Sequence, residues 1–83
     1  MSANDLLPGI RACMRTVLQL SEEEAAGIGP ETTPLLVPRW TSLTHVQLVL
    51  ELERAFPVTF DADDIAGMAS VKAIIDALER LNP

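Results

Sequence analysis

Ser42 and His45 are the residues of this chain whose types and spacing first suggest chemistry. Residues three positions apart are neighbours on a helix, so an imidazole at 45 could serve a nucleophilic hydroxyl at 42 as a base. Such catalysis also needs a group that orients the histidine and donors that stabilise an oxyanion. The helical repeat turns His45 toward Leu52 and Phe56, where nothing would orient it. We therefore assign no catalytic residue and expect His45 to line the interior.

The other chemistry open to Ser42 is to carry a phosphate ester. The pattern places Ser42 at the start of a helix, where unpaired N–H groups and the macrodipole favour negative charge. Capping of the helix by Thr41 or Ser42 is the simpler alternative. Both hold if Thr41 is the cap and Ser42 projects outward.

The remaining candidates for chemistry are interpreted as structural. Cys13 is the single cysteine, which excludes a disulfide within the chain and a cysteine-based metal site, and it falls on an apolar helix face. Asp61, Asp63 and Asp64 lack the glycine and distant glutamate of a calcium loop, so we expect cap and first-turn carboxylates. We predict no metal site.

Composition narrows the class of protein. The chain has 83 residues, of which 48% are hydrophobic and 22% charged, with a net charge of −6. We expect one small domain, residues 1–83. The net negative charge argues against nucleic-acid binding. It suits binding to partners with basic surfaces, or it contributes to solubility alone. No membrane span or secretion signal is recognisable, so we expect a cytoplasmic protein without membrane insertion.

Helical periodicity predicts the elements that position these residues. Helices are predicted over residues 6–20, 42–56 and 62–66, and in a last segment that begins after Ser70. Asn4 or Asp5 would cap the first helix, with Pro8 in its first turn, and Ser21 and Glu24 form a capping box for a brief helical turn. The fold class is all-α, a small four-helix bundle of three main helices and one short helix.

A long loop over residues 27–40 joins the first two main helices. It contains two glycines and three prolines, which exclude a regular element. We expect its apolar residues to anchor it across the bundle: Leu35, Leu36, Val37 and Trp40.

The helix after Ser42 is apolar on more than one side. One sector is the natural core face and includes Leu48, Val49, Leu52, Ala55 and Phe56. A second sector, Leu43, Val46 and Leu50, lies beside Ser42 and suits docking of another protein. The alternative is that the long loop covers this second sector.

The segment from Trp40 through Thr-Ser-Leu to Glu-Arg-Ala-Phe56 resembles the second helix of acyl carrier proteins, and the order of elements agrees along nearly the whole chain. The resemblance implies that a phosphopantetheinyl transferase attaches 4′-phosphopantetheine from coenzyme A to Ser42. The arm's thiol would hold groups supplied by an acyl- or aminoacyl-loading ligase for a downstream synthase or transferase. We also expect a monomer.

The resemblance implies roles for two sets of residues. The partner-binding set is Thr41, Leu43, Val46, Gln47, Leu50 and Glu53. The set that lines a cargo pocket is His45, Val49, Leu52 and Phe56.

The sequence departs from the family at several acidic positions. Thr41 replaces the aspartate that precedes the serine, Thr44 and Gln47 replace further acids, and Arg54 replaces another. This loss of acidic residues favours a dedicated acyl carrier in a specialised lipid, polyketide or related pathway over a carrier of ordinary fatty-acid synthesis. An aminoacyl carrier of the D-alanyl type is the alternative, and a helical interaction module that never receives the arm is the alternative of another class.

Overall fold

The structure is a computed structural model that describes residues 3–81. Over these residues the chain forms five helices and no strand: α1 (Ala3–Leu18), α2 (Glu22–Ala26), α3 (Ser42–Ala55), α4 (Ala62–Gly67) and α5 (Val71–Leu81). The predicted all-α bundle, with a long loop before its second main helix, is confirmed. The helical turn predicted after Ser21 is α2, and Ser21 and Glu24 form its capping box.

Helix α1 begins earlier than the sequence pattern predicted. Asn4 and Asp5 both lie inside the helix, so neither is its cap. Pro8 consequently lies in the second turn rather than the first. No described helix is long and apolar enough to cross a bilayer.

The end of α1 also differs from the prediction, which extended the helix to residue 20. Gln19 adopts a φ of 55°, in the left-handed region, and breaks the helix after Leu18. The Leu20 N–H then donates to the Arg15 carbonyl at 3.0 Å, the hydrogen bond of a Schellman motif. A glycine usually occupies this position, so the composition of the segment gave no sign of the turn.

The hydrophobic core lies where α1 packs against α3 and α5. Its largest fully buried side chains come from all three helices: Leu6, Ile10, Met14, Leu18, Leu48, Leu52, Val71, Ile74 and Leu78. Burying a side chain of this kind contributes roughly 1.5–3 kcal/mol. Leu48 and Leu52 are four residues apart on α3, so they fix which face of that helix looks inward.

The loop between α2 and α3 is held mainly by its backbone. The carbonyls of Pro30 and Thr32 accept hydrogen bonds from Lys72 and Val71, each at 2.9 Å, and so satisfy first-turn N–H groups of α5. Trp40 is buried, as expected of an anchor.

Two of the four predicted loop anchors are wrong. Leu35 and Leu36 are 95% and 67% exposed, whereas Val37 is half-buried against the core. A turn explains the difference, because the Leu36 N–H donates to the Thr33 carbonyl at 2.9 Å and turns residue 35 outward.

Candidate functional site

Thr41 is the N-cap of α3. The Thr41 hydroxyl accepts a hydrogen bond from the Thr44 N–H at 3.3 Å, and the Thr41 backbone N–H donates to Thr44 Oγ1 at 2.7 Å. The Thr44 hydroxyl donates in turn to the Arg39 carbonyl at 2.6 Å. This is a capping box in which threonine takes the place usual for glutamate. The capping function at the start of α3 therefore belongs to Thr41.

Ser42 is the first residue of α3 and is exposed. Its hydroxyl makes no hydrogen bond to any residue that the structure describes. Because Thr41 caps the helix, Ser42 does not. The solvent-facing Ser42 hydroxyl lies at the positive end of a 14-residue helix. The geometry agrees with the expectation that residue 42 projects outward.

His45 is oriented by two hydrogen bonds, so the expectation that nothing would orient it is wrong. The Trp40 indole N–H donates to His45 Nδ1 at 3.0 Å, and His45 Nε2 lies 3.1 Å from the Ile65 carbonyl. The indole nitrogen can only donate, so Nδ1 must accept and Nε2 must carry the proton. Both ring nitrogens are engaged, and neither offers a lone pair to the Ser42 hydroxyl.

Sequence reasoning missed this Trp40–His45–Ile65 bridge, although a signal was present. A buried tryptophan needs an acceptor for its N–H, and His45 lies only five residues further on. The ring of His45 stacks near the indole, with centroids 6.0 Å apart.

A cleft of about 490 Å³ opens directly beside Ser42. The loop forms one side, the first turn of α3 the floor, and the end of α4 the other side. Its lining residues are Pro34, Trp40, Thr41, Ser42, His45, Ile65, Ala66 and Met68. Of the four residues expected to line a cargo pocket, only His45 lines this cleft.

The other three residues of that set belong to the core. Val49 and Phe56 are 4% and 9% exposed and Leu52 is fully buried. Ala55, which the helical repeat also placed on the core face, is exposed, because α3 ends there and only the C-cap Phe56 turns inward.

The second apolar sector of α3 faces solvent. Leu43, Val46 and Leu50 are 70%, 54% and 62% exposed. The loop does not cover them. Together with Leu35 and Leu36 they are the exposed large hydrophobic residues of the described chain, a concentration of the kind found at protein-binding surfaces.

The two glutamates beside this face are both held by neighbouring groups. Glu53 accepts the Phe60 N–H at 2.8 Å, which ties α3 to the segment that follows it. Glu51 pairs with Arg54 at 2.9 Å. Gln47 is exposed. An incoming partner therefore meets an apolar surface beside which one glutamate is paired with an arginine and another accepts a backbone hydrogen bond.

The aspartates before and within α4 are structural. Asp61 caps α4, as predicted, and it also forms a capping box with Asp64. Asp64 also accepts a hydrogen bond from Arg80 on α5. That hydrogen bond, and after it the one from the Asp61 N–H, holds the pKa of Asp64 below its usual value. No three metal-binding side chains come together among the described residues.

Cys13 is buried in the core, as predicted. Its Sγ lies 3.9 Å from the Glu51 carbonyl, to which the thiol donates. Burial raises the pKa of the Cys13 thiol, and the Glu51 carboxylate raises it further. The thiol is therefore protonated and shielded.

In the described part of the chain, helices surround a small core, and a serine lies uncovered at the tip of one of them. A family model described as a phosphopantetheine attachment site matches residues 8–78, a range that includes Ser42. The chain belongs to this family, that of the acyl carrier proteins, whose members carry 4′-phosphopantetheine covalently. A search of curated proteins gives no significant match.

Proposed function

We propose that this chain is a non-catalytic carrier of acyl intermediates, held as thioesters on a 4′-phosphopantetheine arm attached to Ser42. A specialised lipid, polyketide or related pathway in the cytoplasm is its setting. The observation that carries the proposal is the exposed, unbonded Ser42 hydroxyl at the start of α3, inside the segment that matches the family. The arm supplies the thiol that forms the thioester.

Each residue at the tip of α3 has a distinct part in this proposal. Thr41 caps the helix, so Ser42 can be esterified without loss of the cap. The N–H groups of the first turn stabilise the negative charge of the phosphodiester. His45 cannot take up the Ser42 proton, because both its nitrogens are occupied, so the base must come from the transferase.

The partners of such a carrier are the transferase, a loading ligase and a downstream synthase or transferase. The apolar face of Leu43, Val46 and Leu50 is the surface that we propose they contact, with Thr41, Gln47 and Glu53 at its edge. Most of the energy of such contacts comes from buried apolar anchors, which suits a face of three exposed apolar side chains. The carrier itself acts as a monomer.

The cargo can be tested on protein isolated from the cells that produce it. Intact-mass measurement before and after hydroxylamine treatment should show a group that is released as an acyl hydroxamate, with the arm left on the protein. Release of an aminoacyl hydroxamate would instead support the amino-acid carrier. A protein that carries no arm in those cells would contradict the proposal in favour of the unmodified interaction module.

A further inference from the structure

The cleft beside Ser42 is shallow. Its only contributions from α3 are Ser42 and His45, which are about 4.5 Å apart along the helix axis at 1.5 Å per residue. Phe56, at the other end of the helix, lies roughly 21 Å from Ser42. Within this cleft, a group that hangs from Ser42 therefore lies over the first turn of α3.

The floor of the cleft is closed by the Trp40–His45–Ile65 bridge. His45 links the loop, through the indole N–H at 3.0 Å, to the end of α4, through the Ile65 carbonyl at 3.1 Å. Because three segments meet at one imidazole, the gap between α3 and α4 cannot widen without the loss of at least one of these hydrogen bonds.

The space beneath the bridge is filled. Val49, one turn below His45, is 4% exposed, and Met68 is 3% exposed. Leu48 and Leu52 are fully buried. An alkyl chain could enter only by displacing packed side chains, which is costly in a close-packed interior.

The geometry points to His45 as a specificity-determining residue that closes the bundle to its cargo. This inference rests on the proposed carrier function and deepens it. The chain carries short or polar acyl groups, which stay in the open cleft or in solvent where partner enzymes reach them. Long apolar chains gain no shelter in the interior and are not its cargo.

The test uses the full chain loaded with acetyl, octanoyl or tetradecanoyl pantetheine arms by a broad-specificity transferase. Intact mass first verifies each load. The melting temperature of the wild type should be the same for all three loads. In His45→Ala, loss of the imidazole opens a path toward Val49, so the melting temperature should rise with chain length, by about 4 °C or more between the shortest and longest loads.

His45→Gln is the matched control, because its amide keeps one acceptor and one donor, and it should behave as the wild type does. A general structural role for His45 would lower all melting temperatures of His45→Ala equally and leave chain length without effect, which would overturn the assignment. A wild-type melting temperature that rises with chain length would overturn it as well, even if His45→Ala failed to fold. Failure of the wild type to accept any load would instead contradict the proposed function.

Discussion

Thr41 and Ser42 carry similar hydroxyls but occupy different positions at the start of α3. The Thr41 hydroxyl is part of a capping box with Thr44, and the Ser42 hydroxyl is free among the described residues. Where the resemblance places an aspartate, the chain thus has an uncharged residue that caps the helix.

The two hydroxyls should differ in their contribution to stability. Thr41→Ala should lower the free energy of unfolding by roughly 0.5–2 kcal/mol, because α3 loses its cap. Ser42→Ala should change it by less than about 0.5 kcal/mol, because nothing is bonded to that oxygen. Urea unfolding followed by circular dichroism measures both. Equal destabilisation by the two variants would show that Ser42 shares the capping.

The buried Cys13 thiol predicts the reactivity of the protein toward thiol reagents. Thiolate is the reactive form, and a raised pKa together with burial keeps it scarce at neutral pH. The unmodified folded protein should therefore react slowly with a coloured disulfide reagent, and fast in denaturant. After attachment of the arm, one fast-reacting thiol should appear in the folded state. Fast reaction of the unmodified folded protein would contradict the burial of Cys13.

At the scale of elements, α3 has a buried apolar face and an exposed apolar face. Leu48 and Leu52 hold its inner face against α1, and Leu43, Val46 and Leu50 remain outside. This exposed apolar sector lies beside Ser42 and outside the core of the described chain. We propose that it contacts other proteins.

Leu50→Glu should weaken loading of the arm by a partner enzyme. A charged side chain in an apolar contact should lower the rate roughly fivefold or more, equivalent to ~1 kcal/mol or above. Ala55→Glu is the matched control, since it adds the same charge to an exposed position on another side of the same helix. Helicity should be unchanged in both. Equal loading rates for the two variants would argue against a docking role for this face.

The link between α4 and α5 should make the fold sensitive to acid. The pKa of Asp64 is lowered in the folded state by Arg80, so its contribution to stability is present above the unfolded value of about 3.9. That contribution is lost as the pH falls through the lower, folded value. The melting temperature of the wild type should therefore exceed that of Asp64→Asn most at neutral pH, and the difference should shrink in acid.

Melting curves recorded from neutral pH to well below the usual carboxyl range measure this difference. Asp63→Asn is the control, because it removes an equal charge from the same first turn without a bond to Arg80. A difference between Asp64→Asn and the wild type that stays constant with pH would show that the ion pair contributes nothing.

The sequence was sufficient to predict the parts of the fold in which apolar residues recur with the helical period. The inward positions of Leu48 and Leu52 on α3 and the caps at Ser21 and Asp61 follow from residue type and spacing. Gln19 and Leu35 were misjudged because a left-handed turn and a projecting loop depend on backbone geometry that their side chains do not encode. The position of the His45 ring depended on Trp40 and Ile65, which reach it from outside its helix.

At the scale of the whole molecule, the described residues have a radius of gyration of 11.4 Å, close to the roughly 12 Å expected of a compact chain of this length. Contacts of α1 with α2, α3 and α5 join the elements around one core. We propose that residues 1–83 form a single carrier domain. In this domain the core is inside, and Ser42, the cleft beside it and the apolar face of Leu43, Val46 and Leu50 lie at the surface.

Attachment of the arm to Ser42 is the central claim, and intact mass after incubation with coenzyme A and a broad-specificity phosphopantetheinyl transferase tests it most directly. The wild type should gain the mass of one phosphopantetheine group, and fragmentation should place it on Ser42. Thr41→Ala should gain the same mass, and Ser42→Ala should gain none. An unmodified wild type with several transferases, or a modified Ser42→Ala, would contradict the account.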